Sequence, residues 1–383
     1  MHKSSHKIKK NILLVALSFN DSFAPLGIAN LKSYALKDKL IEENFNIFLE
    51  SYAVSSFSEK SFFSLVKTLN PKIIGFTVWC WCKNRVILLS NKVKNRFPET
   101  TIIFGGLQVE ENYLKNKNVD FLIHGRGELA FKEFLKWYLL GGNIEKVPSL
   151  SFRNDEKIIT TKYASLNNLD EIPSPYLNGV IDLTRYPHPV LQVEYGCNIM
   201  NCYFCDIHPK EKIKRFFSLE RVKKEILFIL KRSNCIEIIN CNLNLYHDRF
   251  VQILNIFKKS SHENSEIILW LNHNFFKPGD EKLINLIKGK KILEFELYVP
   301  KGEGMGAAKK TEIKKLSKVL SFLTDRNIVN CLSIILDSFP KDPKKELLKL
   351  NNEIKKFINQ DNFHLFTYPR MTGKNYYDKV SLK

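Results

Sequence analysis

Short apolar runs alternate with amphipathic stretches along almost the whole chain of 383 residues. Asn11–Leu17 and Ile73–Thr77 have the length and composition of buried strands, and Gly27–Asp38 carries apolar residues at helical spacing. This alternation predicts an α/β fold whose first part is a parallel, doubly wound, Rossmann-like sheet. Ligands of such sheets bind beyond the carboxyl ends of the strands. The loops to consider are therefore those after Leu17, Thr77, Phe104 and His124.

The second part of the chain alternates in the same way and predicts a partial (β/α)6 barrel of the TIM type. Its six predicted strands are Val190–Tyr195, Ile236–Cys241, Glu266–Leu271, Ile292–Tyr298, Leu332–Asp337 and Phe363–Tyr368. A hairpin turning at Asn154-Asp155 and a proline-rich segment separate the two parts, and such proline density marks a domain junction. We therefore predict a doubly wound domain over residues 1–145, a hairpin and linker over 146–189, and a barrel over 190–383.

The chain carries a formal net charge of +19, which can indicate a nucleic acid, a membrane surface or an acidic ligand. Its basic residues are scattered, which favours solvated lysine faces and argues against nucleic acid as a partner. No apolar run approaches the roughly 20 residues that a membrane span needs. Ile12–Leu17 follows a basic tail but is too short for a signal peptide and lacks a cleavage site. We expect a cytoplasmic protein without a membrane partner.

Three cysteines lie within nine positions, directly after the first predicted barrel strand. The segment is Tyr195-Gly196-Cys197-Asn-Ile-Met-Asn-Cys202-Tyr-Phe-Cys205. Three thiolates this close can converge on one soft metal centre, and a four-iron cluster held by three thiolates keeps one iron open for an outside ligand. The alternative is structural zinc, since His208 follows three residues later and could complete a Cys₃His site.

This segment resembles the cluster loop of the radical S-adenosylmethionine (SAM) superfamily, whose three cysteines hold a [4Fe–4S] cluster. The resemblance makes Cys197, Cys202 and Cys205 the cluster ligands. It also places Phe204, the aromatic residue before the last cysteine, near the SAM adenine. The chain departs from the usual pattern because four residues, not three, separate the first two cysteines, so we expect the loop to bulge.

Further motifs occur in the order seen in the cobalamin-binding subfamily of radical SAM enzymes. They are Ala24-Pro25-Leu26-Gly27, Phe104-Gly105-Gly106, Gly125-Arg126-Gly127-Glu128 and the junction Leu169-Asp170-Glu171-Ile172-Pro173-Ser174-Pro175. The resemblance implies a cobalamin-binding N-terminal domain with contacts from Pro25, Leu26, Gly27, Thr77, Trp79, Gly105, Gly106, Gly127 and Glu128.

The same resemblance places the loop that contains Trp79 and Trp81 below the corrin ring, although ordinary core packing explains these tryptophans equally well. No Asp-x-His-x-x-Gly motif occurs, so cobalt would lack a protein histidine.

SAM contacts follow from the resemblance as well. They are Phe204, Asn240, Asn242, Tyr298, Lys309 and Asp337. The two asparagines end the second barrel strand, where relatives hold an acidic residue; an asparagine carbonyl can accept a hydrogen bond from the SAM ammonium but carries no charge. For all of these except Phe204, a plain structural role is at least as good an explanation. Cys235 and Cys331 fit a buried core.

The resemblance implies an enzyme whose cofactors are a [4Fe–4S] cluster, SAM and cobalamin. We expect a C-methyltransferase that acts on an unactivated carbon of a natural product or a ribosomal peptide. One alternative keeps these cofactors but catalyses a rearrangement or cyclisation. Another, from a different class, is a zinc-stabilised binding module. Methylthiotransferases are disfavoured, since they carry a second set of three cysteines upstream and only Cys80 and Cys82 lie there.

The expected partners are a small-molecule or peptide substrate and an electron donor such as flavodoxin or ferredoxin. Many relatives carry a further C-terminal domain that shapes the substrate site. The chain ends about fifteen residues after its sixth predicted barrel strand, which favours an open barrel mouth and a bulky or peptidyl substrate.

Overall fold

The computed structural model describes residues 8–18, 20–79, 81–106, 108–196, 213–240, 242–299, 307–324, 328–336 and 363–369. The chain divides into two compact units. The first consists of Met1–Pro187 and Glu194–Ser218, and the second of His188–Val193 and Leu219–Lys383. Among the described residues, no helix has both the length and the apolar composition that a membrane crossing requires.

The first unit contains a seven-stranded sheet in the described part of the chain. Its strands are β1 (Lys10–Ser18), β2 (Phe45–Ala53), β3 (Ile73–Thr77), β4 (Thr101–Gly106), β5 (Phe121–His124), β6 (Leu150–Asn154) and β7 (Lys157–Thr160). Its helices are α1 (Leu26–Ala35), α2 (Lys39–Asn44), α3 (Glu59–Leu69), α4 (Lys83–Arg96) and α5 (Glu128–Leu140).

The strand order β2-β1-β3-β4-β5-β6-β7 confirms the predicted doubly wound fold. The first five strands are parallel and follow the flavodoxin-like order, in which the direction of winding reverses between β1 and β3. That reversal opens a crevice at the carboxyl ends of β1 and β3. This crevice lies at the loops after Leu17 and Thr77, which stay the predicted ligand site.

Alternate residues of β1 point to opposite faces of the sheet. Leu13 and Val15 join a buried cluster with α3 and α4, while Ile12 and Leu14 join a second cluster with α1 and α5. A strand buried on both faces is the pattern expected of a parallel sheet covered by two helix layers.

One local prediction for this unit needs correction, and another is confirmed with an added pairing. The helix predicted to run to Asp38 ends at Ala35, and Asp38 instead caps α2, since its Oδ1 accepts a hydrogen bond from the Leu40 amide at 3.0 Å. The predicted hairpin forms as β6 and β7, but it extends the sheet antiparallel to β5. The boundaries at 145 and 189 stay a prediction about independently folding domains.

The predicted strand Val190–Tyr195 is wrong as one element. It divides into β8 (Val190–Leu191), which pairs in the sheet of the second unit, and β9 (Glu194–Tyr195), which pairs antiparallel with β10 (Arg215–Phe216) in the first. The chain leaves the ladder at Val193, whose amide donates to Asn240 Oδ1 at 3.0 Å and whose carbonyl accepts from Arg249 Nη2 at 3.2 Å. Side chains thus replace the strand partner.

The second unit confirms the predicted partial barrel. Its remaining strands are β11 (Cys235–Ile238), β12 (Glu266–Leu271), β13 (Lys290–Val299), β14 (Val329–Leu336) and β15 (Phe363–Pro369). With β8 they form a parallel sheet of six strands in sequence order among the described residues. Its helices are α6 (Leu219–Leu230), α7 (His247–Ser260), α8 (Asp280–Asn285) and α9 (Ala307–Thr324).

Candidate cofactor site

Two tryptophans stack on each other immediately after β3, at the point where the winding of the sheet reverses. The ring centroids of Trp79 and Trp81 are 4.9 Å apart and their planes are inclined by 7°. Trp81 Nε1 donates to the Leu17 carbonyl at 3.0 Å, which ties this loop to the end of β1. Both rings are half-buried against the core cluster on that face. The crevice therefore has a rigid aromatic wall.

The thiol of Cys82 lies behind this wall and is buried. It accepts a hydrogen bond from the Trp79 amide at 3.4 Å and lies 3.6 Å from the Thr77 carbonyl. Thr77 itself is half-buried at the end of β3 and pairs with Gly105 of β4. These contacts give Cys82 a structural role in shaping the loop.

The glycines at this edge of the sheet differ in whether the fold requires them. Gly106 has φ +122°, and a Cβ there would lie 3.2 Å from the Val78 carbonyl oxygen, so the fold itself requires glycine. Gly105 has room for a Cβ, since the nearest atom would be 3.9 Å away. A Cβ on Gly27 would meet no atom within 4 Å. Packing therefore leaves the surface open at Gly27 and Gly105, which suits a bulky ligand that approaches the backbone.

Gly127 was predicted to contact the ligand; packing is enough to explain a glycine there, and the ligand contact stays a prediction. A Cβ there would lie 3.1 Å from Ile123 Cγ2 and 3.2 Å from Leu31 Cδ2, so glycine at this position lets α1 and α5 pack closely. Pro25 is buried just before α1, and Leu26 begins that helix half-buried. The open edge is thus formed by the first turn of α1 and the ends of β3 and β4.

Tyr195 of β9 is buried against the first turn of α5 and the middle of α1. Its hydroxyl donates to Glu128 Oε1 at 2.9 Å and accepts from Asn30 Nδ2 at 3.0 Å. The Arg126 guanidinium lies over its ring, 3.8 Å from the ring centroid. Burial, and then the adjacent Glu128 carboxylate, raise the pKa of Tyr195, so its hydroxyl stays a neutral donor. Glu128 was predicted to contact cobalamin; the structure gives its carboxylate a protein partner, and the ligand contact stays a prediction.

Strands β9 and β10 form a stem on either side of the cysteine segment. Glu194 and Lys214 make an ion pair with side chains only 2% and 6% exposed. Arg215 Nη1 donates to Ser165 Oγ and to the Leu166 carbonyl, each at 2.6 Å. Both ends of the segment are therefore fixed to the first unit. Outside the described residues, between the two strands, lie Cys197, Cys202, Phe204, Cys205 and His208.

The residues predicted to bind SAM are only partly described. Asn240 Oδ1 accepts from the Val193 amide, and Asn242 Oδ1 accepts from Asn272 Nδ2 at 2.8 Å, so both carbonyls already hold structural hydrogen bonds. Each keeps a second lone pair, and their SAM contacts stay predictions. Of the others, Tyr298 lies in β13 and Lys309 in the first turn of α9, while Asp337 falls outside the described residues.

Sequence reasoning missed the partners of these asparagines. Asn272 donates its amide to Asn244 Oδ1 at 2.9 Å and accepts from Asn244 Nδ2 at 2.9 Å, which joins the loops after β11 and β12. Only the clustering of asparagines after two successive strands could have indicated this bond. Cys235, predicted as core, is half-buried at the start of β11, and burial raises the pKa of its thiol to about 12.

No protein-family model matches the chain. In sequence it resembles the cobalamin-dependent radical SAM methyltransferase TokK of Streptomyces tokunonensis, with 28% identity over 220 residues, which are 53% of this chain and 31% of that protein. It also resembles the 2-(S-pantetheinyl)-carbapenam-3-carboxylate methyltransferase of Streptantibioticus cattleyicolor, with 27% identity over the same shares. The chain spans about a third of the length of these two relatives.

Solved structures of two radical SAM enzymes have the same fold. OxsB, a cobalamin-dependent enzyme solved with aqua-cobalamin and SAM, matches 94% of this chain and 53% of its own with a TM-score of 0.68 and 15% identity. The methyltransferase TsrM of Kitasatospora setae, solved with cobalamin and a [4Fe-4S] cluster, matches 94% of this chain and 72% of its own with a TM-score of 0.68 and 12% identity. The chain thus has the fold of cobalamin-dependent radical SAM enzymes and is similar in sequence to methyltransferases of that group.

Proposed function

We propose that this chain is a cobalamin-dependent radical SAM enzyme that methylates an unactivated carbon of a natural product or a ribosomal peptide. One observation carries the proposal. The stem that holds the cysteine segment is bonded through Tyr195 to α5 and to α1, the helix whose first turn borders the open edge of the sheet. The hydrogen bonds of Tyr195 would therefore link a cluster on the cysteines to a corrin at this edge. The similarity in sequence to methyltransferases supports this choice of reaction.

The described residues fit cobalamin at the open edge of the sheet. Gly27 and Gly105 leave the backbone accessible, and the Trp79–Trp81 stack offers a flat apolar face for a macrocycle. We assign the remaining contacts to Pro25, Leu26, Thr77 and Gly106. Cys197, Cys202 and Cys205 would hold the cluster. The cluster would supply the electron that cleaves SAM, and cobalamin would carry the methyl group.

The protein's own task is to position these groups and to exclude water. The aromatic wall excludes water from one side of the crevice, and Cys82 and Leu17 hold that wall in place through hydrogen bonds. The buried stem fixes where the cysteine segment leaves and re-enters the fold. We also propose that the protein works in the cytosol and takes electrons from flavodoxin or ferredoxin; its net charge of +19 would favour an acidic redox partner.

The test is to prepare the full chain without oxygen, reconstitute it with iron and sulfide, and add hydroxocobalamin. Brown protein that binds cobalamin and, with SAM and a strong reductant, forms 5′-deoxyadenosine and S-adenosylhomocysteine supports the proposal. Formation of 5′-deoxyadenosine alone, with every candidate substrate, would favour the alternative of rearrangement or cyclisation. Colourless protein with one zinc ion per chain would favour a binding module and reject the enzyme.

Substitution of Gly27 by alanine is expected to change the free energy of unfolding and the affinity for cobalamin in opposite directions. Gly27→Ala is expected to stabilise the cofactor-free protein by up to about 1 kcal/mol, since alanine favours a helix and meets no neighbour here. It should weaken cobalamin binding, because the Cβ stands on the open surface. Urea unfolding and hydroxocobalamin titration measure the two effects.

Gly127→Ala serves as the contrasting variant. Its Cβ would press on Ile123 and Leu31, so we expect it to destabilise the protein by about 1–3 kcal/mol. If Gly27→Ala binds cobalamin as tightly as the wild type, the ligand does not approach the backbone at this turn.

A further inference from the structure

A buried trio of hydrogen-bonded side chains joins three segments that are far apart in sequence. Tyr195 bonds to Glu128, 67 positions away, and to Asn30, 165 positions away. All three side chains are nearly inaccessible, with exposures of 2%, 5% and 4%. A movement of Tyr195 would strain both hydrogen bonds, and a movement of Glu128 or Asn30 would strain its bond to Tyr195.

Two members of the trio, Asn30 and Tyr195, lie close in sequence to residues proposed to hold a cofactor. Asn30 follows Gly27 by three positions, one turn along α1, and Glu128 directly follows Gly127 at the start of α5. Tyr195 precedes Cys197 by two positions. The trio therefore bridges the edge assigned to cobalamin and the segment assigned to the cluster.

The ring of Tyr195 has little freedom to move. Arg126 covers one face at 3.8 Å from the centroid, and Phe217 packs against the ring edge-on at 5.4 Å between centroids. Because Gly127 lets α1 and α5 pack closely, the two helices that bind the hydroxyl form one rigid support. A displacement of α1 at its first turn would therefore be passed on to β9 through the hydrogen bond between Asn30 and Tyr195.

One acceptor of the trio remains open. Asn30 Oδ1 is buried and has no hydrogen-bond partner among the described residues. An unpaired buried acceptor is unfavourable, so the arrangement can gain stability when α1 shifts or when a donor reaches it. A ligand at the open edge that shifts α1 would therefore change the hydrogen bonding of Asn30.

We propose that Tyr195 is a positioning residue that couples cobalamin binding at the first turn of α1 to cluster assembly on the cysteine segment. The inference rests on the proposed function, since it assumes both cofactors. Such a coupling is reciprocal: if the cluster tightens cobalamin binding, cobalamin tightens the hold on the cluster by the same factor.

The experiment measures hydroxocobalamin affinity for the full chain, once iron-free and once reconstituted with iron and sulfide. In the wild type we expect reconstitution to tighten binding by roughly 5-fold or more, the usual size of such couplings. In Tyr195→Phe, which keeps the ring but loses both hydrogen bonds, the ratio should fall to about 1. The rate of iron loss to a chelator should slow on addition of cobalamin in the wild type and not in the variant.

Two further variants separate coupling from folding. Glu128→Gln keeps an acceptor for the Tyr195 hydroxyl and should retain the coupling, while Asn30→Ala removes one of the two bonds and should reduce it partially. Tyr34→Phe, on the same helix α1, is the matched control and should leave the ratio unchanged. Circular dichroism checks the fold of each variant, and Asn30→Ala supplies the test if Tyr195→Phe does not fold.

A wild-type ratio of about 1, or an unchanged ratio in both Tyr195→Phe and Asn30→Ala, would overturn the coupling while leaving the proposed function intact. Failure of the wild type to bind cobalamin or to assemble a cluster would overturn both.

Discussion

Alanine in place of Cys197, Cys202 or Cys205 is expected to abolish cluster assembly and, with it, the cleavage of SAM. Each thiolate would hold one iron of the cube, and two thiolates leave two corners without a protein ligand. Bound iron after reconstitution should fall from about four per chain to well below one. Formation of 5′-deoxyadenosine should fall to the background of protein-free reductant. Iron and sulfide content and chromatography of the SAM products measure these effects.

Cys235→Ala is the matched control for this series. Its thiol is half-buried at the start of β11, and its raised pKa of about 12 keeps it protonated and a poor metal ligand. This variant should keep its iron. His208→Ala tests the rival zinc site: it should leave the iron content unchanged if three cysteines hold a cluster. Full iron content in all three cysteine variants, or loss of metal in His208→Ala alone, would contradict the proposed ligand set.

The sequence predicted the elements that carry a repeating pattern. Ile73–Thr77 and Glu266–Leu271 occur as strands with the predicted bounds. Their boundaries are sharp because apolar periodicity stops where the chain leaves the core. The order of the first sheet follows from the same alternation, since helices between parallel strands leave few topologies.

The break after β8 could not be predicted in this way. Val190–Tyr195 is apolar enough for one strand, but the Asn240 side chain, 47 positions away, takes the Val193 amide and ends the pairing. Strand β10 has two residues and no period to detect. Local sequence does not show which distant side chain will bond to a backbone amide in place of a neighbouring strand.

The candidate site shows the same difference between local motifs, which the sequence reveals, and contacts between distant residues, which it does not. Motifs indicated the edge of the sheet, but they could not distinguish glycines kept for packing from glycines that leave a surface open. Gly127 and Gly27 look alike in sequence, and only the neighbours of a hypothetical Cβ separate them. Glu128 likewise stands in a motif, and its bond to Tyr195 depends on a residue 67 positions away.

Loss of the buried ion pair at the base of the cysteine segment is expected to have the largest effect on stability. Lys214→Met removes a counter-charge from the Glu194 carboxylate, which is only 2% exposed. Removing one partner of a buried pair costs about 3–5 kcal/mol, because the remaining charge is not compensated. The double variant Glu194→Gln with Lys214→Met should recover part of this loss, since both charges of the pair are then removed.

Urea unfolding followed by tryptophan fluorescence measures this loss in the first unit, because Trp79, Trp81 and Trp137 all belong to it and only Trp270 to the second. Circular dichroism follows the unfolding of both units and allows comparison with a variant in the second. Lys224→Met is the matched control. Its partner Glu220 lies one turn away on α6, both side chains are more than 60% exposed, and such pairs contribute about 0.3–0.5 kcal/mol. Equal effects of the two lysine substitutions would show that the stem does not depend on its ion pair. If instead Lys214→Met also lowers the iron retained after reconstitution while Lys224→Met does not, the stem is what keeps the cysteine segment in a binding geometry.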